Sequence, residues 1–416
     1  MTPLSARDDA FLEDLSRSAF RYFLEHADPA TGLVLDRART DGTAQARIAS
    51  IAATGFGLTA LSIAASRRWI EPAGARERAR VTLRFFAEHA QHAHGWFYHW
   101  MDAATGDRQW NSEISSIDTA LLLAGVLTAG QYFHDDEIGR LARRIYERVD
   151  FQWMLAGSPS LLAHGWKPES GFLPNRWDSY CELTILYLLA IGSPAHAIPP
   201  QAWYAWRRPR MTYAGYPFIY DGPLFVHQYS HAWIDFRSRR EVQPTHTDYF
   251  ENSVAATRAH REFCITLAAK FPKSYGPDVW GISASDSAHG YYAWGGPPAQ
   301  GPIDGTVVPC APGGSLMFTP DICLTALRTM RERFGDRVYG RYGFADAFNP
   351  STEWVDTDVI GIDQGITLLS AENLRSGNVW KWYGQDPAMA RAMRLIFGER
   401  EADPGGPPQA EGPPHF

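Results

Sequence analysis

The chain has 416 residues, 45% hydrophobic and 20% charged, an ordinary composition for a folded protein with a sizeable core. Its 39 Lys and Arg against 46 Asp and Glu leave a net charge of −7 without a basic stripe, which argues against nucleic acid as a partner, and no apolar run reaches the roughly 18 residues a membrane span needs. Four cysteines, at 181, 264, 310 and 323, show neither CxxC nor Cys/His ligand spacing and are too few for a disulfide scaffold.

The first ten residues, Met1 to Ala10, hold no apolar stretch of the signal-peptide kind. The expectation is a cytoplasmic protein, or a periplasmic one whose leader has been removed. Apolar residues at i, i+3, i+4 spacing predict helices over 9–25, 48–66, 75–91, 117–133, 138–148 and 182–191, and again over 257–271, 319–334 and 359–374. Short strand patterns at 32–36 and 96–101 predict small hairpins. The helical segments alternate in character. Those at 51–65, 117–130, 183–191 and 359–371 are apolar all round, whereas those at 75–91, 137–150 and 320–335 carry charges on one side. Inner helices covered on both sides and outer helices with one wet face produce this alternation, so the predicted fold is all-α, an α/α toroid with long loops and minor β-hairpins at a rim. Residues 1–398 read as a single catalytic domain, and 399–416, rich in Pro and Gly, as a disordered tail.

Aromatics make up 13% of the chain, with 15 Trp, many in non-periodic Gly, Pro and His contexts such as 94–100, Gly165-Trp166 and 291–296. Flat rings in loops line sugar clefts by covering the CH face of a pyranose; the alternative is that they plug gaps between helices.

Two stretches place an acid at the mouth of a very apolar helix: Ser115-x-x-Asp118 and Ser179-x-x-Glu182. Both fit a capping box, in which the acid only serves the helix end. Both also fit a rim where successive inner helices present catalytic acids, and Glu113, on the approach to Asp118, can enter the same pocket. Glycoside hydrolysis needs such a pair, one carboxyl protonated to help the leaving group and one ionised to activate water or attack the sugar. Burial raises the pKa of Glu182 and a helix N-terminus lowers it. A second cluster, His227, Gln228, Tyr229, His231 and Asp235, followed by His246 and Asp248, mixes donors and acceptors suited to sugar hydroxyls. His227 and His231, four apart, raise a metal site as a competing thought, set aside for the Pro and Gly around them. The stretch 281–295, with Asp286 and Trp294, can close another side of a cleft, and Asp363 is a cap, a buried acid or a subsite residue. No GxSxG, P-loop or dinucleotide fingerprint stands at a strand–helix junction, so no cofactor is expected.

At these residues the chain resembles glycoside hydrolase family 144, the glucoamylase-like β-1,2-glucanase group. The resemblance is carried by Gly95-Trp-Phe-Tyr-His, Glu113-Ile-Ser-Ser-Ile-Asp118, Tyr180-Cys-Glu182 and Leu189-Ala-Ile-Gly-Ser-Pro-Ala-His196. His227-Gln-Tyr-Ser-His231-Ala-Trp-Ile-Asp235, Ser283-Ala-Ser-Asp286 and Gly313-Gly-Ser-Leu extend it over roughly residues 10–395. The resemblance implies an (α/α)6 toroid without metal that hydrolyses β-1,2-glucan to sophorooligosaccharides with inversion. It makes Glu182 the general acid and Asp118 an acid important for catalysis, with Glu113 offered as the water-activating group. Trp166, Trp177, Tyr180, His227 and Gln228 are expected to line subsites, together with His231, Asp235, Asp286 and Trp294. Rival readings are a transglycosylase on the same scaffold, a polysaccharide lyase, and a glycan-binding protein whose acids only cap helices.

Overall fold

Local sequence explains where most helices start. In the computed structural model, which describes residues 4–43, 46–243, 245–298 and 301–399, α1 (Ala6–Glu25) follows Ser5, whose hydroxyl accepts from the Asp8 N–H, and α2 (Ile51–Ser66) follows Ser50, which does the same for Ala53. Helix α3 (Pro72–Glu88) opens on a proline, whose missing N–H costs nothing in the first turn. Ser115 caps α4 (Ser116–Tyr132), Asp135 caps α5 (Asp136–Arg148) and Asp150 caps the short α6 (Phe151–Met154). Beyond α7 (Thr184–Gly192) and a 3-10 turn at Pro200–Tyr204 come α8 (Tyr229–Trp233), α9 (Tyr249–Leu267), α10 (Cys310–Gly314) and α11 (Pro320–Phe334). The last are α12 (Gly361–Arg375), α13 (Asn378–Gly384) and α14 (Pro387–Phe397).

Six of these close an inner ring. Helix α2 packs on α4 and α12, α4 on α7, and α10 on α12. Ser230 of α8 accepts from the Ile185 N–H of α7, and Gln228, at the head of α8, donates to the Ala311 carbonyl of α10, which completes the circle. Ring helices are buried all round, residues 51–65 of α2 and 119–129 of α4 without a break. The outer helices are one-sided: α5 buries Ile138, Leu141, Ala142, Ile145 and Tyr146 and turns its arginines outward. The molecule is therefore the (α/α)6 toroid expected, with no barrel of sheets among the described residues.

The helix N-termini of the ring share one rim, where two- and three-stranded pieces of sheet frame the entrance. Arg37–Arg39 pairs antiparallel with Asp358–Ile360, and Ile48–Ser50 with Trp100–Asp102. At the other end α13 closes the ring: Trp380 donates to the His231 carbonyl at 2.6 Å, and Trp382 packs on Tyr132 at 4.6 Å between centroids.

Several expectations shift, and residues 359–360, expected as helix, belong to the Asp358–Ile360 strand that pairs at the rim. Residues 48–50 are a strand and not the first turn of α2, because the β-branched lead-in pairs at the rim before Ser50 caps the helix. Helix α9 starts at Tyr249, eight residues earlier than its apolar period, because Asp248 accepts from the Glu251 N–H. The five-residue α8 and α10 are too short for a period of their own, and α13 and α14 are two further helices that the apolar spacing did not predict. The tail expected from 399 lies, apart from Glu399, outside the described residues. No helix among the described residues is long and apolar enough to cross a membrane.

Candidate active site

Glu182 stands two residues ahead of α7, outside its first turn. Ser179 does not cap the helix but bridges to Arg207. The cap comes from the neighbouring ring helix: the Ser230 hydroxyl accepts from the Ile185 N–H at 3.0 Å and donates to the Glu182 carbonyl at 2.8 Å. The Glu182 carboxyl is thus released from helix capping. It faces a cleft of ≈ 760 Å³ whose walls include His164, Trp177, Asp178, Asp221 and Phe225. Partial exposure through that cleft coexists with strong desolvation from the protein behind it. Burial pushes the carboxyl up to about 7 and the charges of Asp221 and Asp118 add to the effect, against a backbone hydrogen bond and the Cys181 thiol.

Asp118 lies on the adjacent helix, third residue of α4. The Ser115 hydroxyl accepts from its N–H at 3.3 Å and donates to its Oδ2 at 2.5 Å, half of a capping box. Behind Asp118 is His99, from the segment between the strands Trp96–Phe97 and Trp100–Asp102. Its Nδ1 donates to Glu113 Oε1 at 2.9 Å and its Nε2 lies 3.5 Å from Asp118 Oδ2. The ring lies flat on Trp100, centroids 3.9 Å apart and planes at 15°. Burial works against the charged imidazole, yet Asp118, Glu113 and Asp36 together raise its pKa, while the bond from His99 lowers that of Glu113.

Further around the rim is a denser acidic group. Arg37 donates to Asp36 at 3.2 Å and to Asp286 at 2.5 Å, and the Asp286 N–H donates to Asp346 Oδ2 at 2.7 Å. Burial raises Asp36 and Asp346, takes Asp356 to about 7, and takes Asp363, in the first turn of α12, to about 6, with neighbouring carboxylates adding to each. Asp286, Asp346 and Asp356 bring an oxygen each within 4.8 Å of one another, a spacing that suits a hard cation, although Arg37 already serves Asp286. Tyr229 links the two halves of the rim, since both Asp363 and Glu182 act on its hydroxyl.

The expected subsite residues separate. Trp177 is in the cleft wall, its indole N–H donating to Ser116 Oγ at 2.8 Å and its ring stacked on His164 at 3.9 Å. Trp166 is half-buried in the sheet beside it, paired with Ile114. Asp286 is held by Arg37, and Trp294 is buried, bonded to Ser285 Oγ at 2.9 Å. Tyr180, His227, Gln228 and His231 are interior residues and not cleft walls. The Tyr180 hydroxyl meets His227 Nδ1 at 3.0 Å, Gln228 ties α8 to Ala311 and Ser315, and His231 Nε2 meets Ser253 Oγ at 3.1 Å. Burial drives both imidazoles down to about 3, so they are neutral packing groups. Asp235 follows the C-terminal end of α8, at the opposite end of the ring, where Arg237 clamps both its oxygens at 2.8 and 3.0 Å. It is separated from the Glu182 cleft by the length of the ring. Sequence reasoning missed His99, Asp36, Asp221, Asp346 and Asp356. His99 lay inside the aromatic run at 94–100 and was masked by it; Asp36 closes the strand pattern at 32–36, and the other aspartates sit in stretches without periodicity.

A ring of six buried helices with an outer layer of one-sided helices is the architecture of the glucoamylase-like toroids. The chain belongs to the family described as "Putative glucoamylase", which matches residues 174–387, slightly more than half of its length. It is 28% identical to an exo β-1,2-glucooligosaccharide sophorohydrolase (non-reducing end) of Parabacteroides distasonis over 94% of this chain, and spans only 58% of that protein. An endo-β-1,2-glucanase from Chitinophaga pinensis, solved with sophorotriose and glucose, superposes with a TM-score of 0.87 at 27% identity, covering 95% of this chain and 99% of that one. A protein from Bacteroides fragilis described as a putative glucoamylase gives 0.85 at 29% identity, over 95% and 98%.

Proposed function

We propose that residues 1–398 form one glycoside hydrolase unit that cleaves β-1,2-glucan into sophorooligosaccharides with inversion. The observation that carries the reading is the pair Glu182 and Asp118. The first holds its proton to about pH 7 and the second bears on it from the next ring helix. Glu182 gives its proton to the leaving side as the glycosidic C–O bond breaks. Water adds to the anomeric carbon from the other face and gives its proton to Asp118, with Glu113 behind it. The product then carries a new α-configured reducing end. The names of the Parabacteroides and Chitinophaga relatives support the linkage. Trp177, Trp166, Trp294 and Asp286 remain the subsite residues of this reading, with no metal or cofactor in the reaction.

A second arrangement gives water activation to Asp363, favoured because its charge and that of Glu182 both act on the Tyr229 hydroxyl. Two variants separate them: the carboxamide at the true base, Asp118→Asn or Asp363→Asn, abolishes turnover, and the other only weakens it.

Incubation with linear β-1,2-glucan, following reducing ends and the anomer of the first product by NMR, tests the activity. The expected result is release of α-anomers. Products longer than the substrate would establish the transglycosylase instead, an ultraviolet-absorbing unsaturated product the lyase, and binding without cleavage the glycan-binding protein.

A further inference from the structure

We propose that His99 is the positioning residue of this site: a charged imidazole held between Glu113 and Asp118 that serves as the counter-ion and rigid support of the Asp118 carboxylate. The inference rests on the reading of Asp118 as the water-activating acid.

Three observations carry it. Both ring nitrogens face carboxylate oxygens, Nδ1 at 2.9 Å from Glu113 and Nε2 at 3.5 Å from Asp118, so the protonated ring meets both acids with an N–H. The ring cannot swing, because it lies on Trp100 at 3.9 Å and its backbone is tied on both sides: the His99 N–H donates to the Glu113 carbonyl at 3.0 Å, and the Ile51 N–H of α2 reaches the His99 carbonyl at 3.4 Å. The groups facing it from other elements are also acidic. Asp36, ahead of the Arg37–Arg39 strand, joins Glu113 and Asp118 in raising its pKa against the cost of burial. Glu113 acts only through His99, which explains how an acid five residues ahead of α4's catalytic position contributes without sharing its helical face.

Such a support has a signature that a purely structural histidine lacks. Loss of a positive neighbour raises the pKa of an acid that must be ionised, so the acidic limb of the rate profile moves to higher pH. The experiment compares wild type with His99→Gln on linear β-1,2-glucan from pH 3 to 9, with thermal unfolding as the check on folding. The expected result is kcat reduced about 100-fold, the order of a lost acid–base contribution, KM within about threefold, and the acidic limb displaced upward. A kcat within about threefold of wild type and an unmoved limb would overturn the proposal. Imidazole nitrogen shifts of His99, followed by NMR in wild type and Asp118→Asn, give a readout independent of substrate. A midpoint above 6.5 that falls in the variant supports the counter-ion role. A ring neutral at pH 6, or one indifferent to the substitution, refutes it, whether or not glucan is the substrate. Should His99→Gln fail to fold, Glu113→Gln replaces it in the kinetic arm with the same expected displacement.

Discussion

A single hydroxyl decides what Glu182 is available for. Ser230 caps α7 from the neighbouring helix, so the acid that a capping box would have consumed is left facing the cleft with its proton held to about pH 7. Glu182→Gln keeps the shape and loses the proton; turnover on β-1,2-glucan is expected to fall by at least about 100-fold, and wild-type rate to decline as pH rises through about 7. The same carboxyl has a stability consequence of definite sign. Its folded pKa lies above the ordinary 4.5, so its contribution is complete below pH 4.5 and is lost as pH rises through about 7, costing up to about 3 kcal/mol. Glu182→Gln is therefore expected to melt with wild type at pH 4.5 and above it at pH 8, a comparison that calorimetry makes directly. Ser230→Ala should cost about 1 kcal/mol by urea titration, the usual worth of a lost cap. At this scale the sequence was half legible. The two acids stood out because each precedes an apolar helix, but the cap that frees one of them comes from a residue 48 positions away, which spacing cannot reveal.

Between elements the decisive contact is backbone on backbone. Helices α2 and α4 approach so closely at Gly55 and Gly125 that a methyl on Gly125 would stand 2.0 Å from the Gly55 carbonyl oxygen, and one on Gly55 2.3 Å from that of Leu121. Alanine gains about 1 kcal/mol of helix propensity over glycine, but overpacking against main chain costs about 1–3 kcal/mol or more, and the clash wins. Gly125→Ala is expected to destabilise by about 2 kcal/mol in urea unfolding, whereas Gly139→Ala in α5, with nothing within 4 Å, should stabilise by about 0.5–1 kcal/mol. The helices were readable because their apolar periods run long enough to exclude strands. The short α8 and α10, five residues each, were not, because a helix that brief is held by Gln228, Ser230 and Ser315 and leaves no period to detect. The same brevity explains why His227, Gln228 and His231 read as a polar loop and prove to be interior.

Over the whole molecule, acids collect where the ring helices begin. Glu182, Asp346, Asp356 and Asp363 all hold protons more tightly than in an unfolded chain. Each of these carboxyls contributes stability at low pH that is lost as pH rises through its raised pKa, while His227, His231 and His260, driven down to about 3, act in the opposite sense. Relative to Asp356→Asn, which lacks one of these carboxyls, the urea midpoint of wild type should fall between pH 5 and 8, and a difference that does not change with pH would contradict the raised carboxyl. Toroidal architecture was legible from alternation alone, since it depends only on which helices are apolar all round. The composition of the rim was not, because its strands are two or three residues long and join distant positions. One of these joints sets the order of assembly. Arg37–Arg39 waits for Asp358–Ile360, so during synthesis this joint of the entrance stays unzipped until residue 360 has left the ribosome. A truncated translation product ending before that strand holds Glu182 and Asp118 but lacks α12, and so has no closed ring to present them.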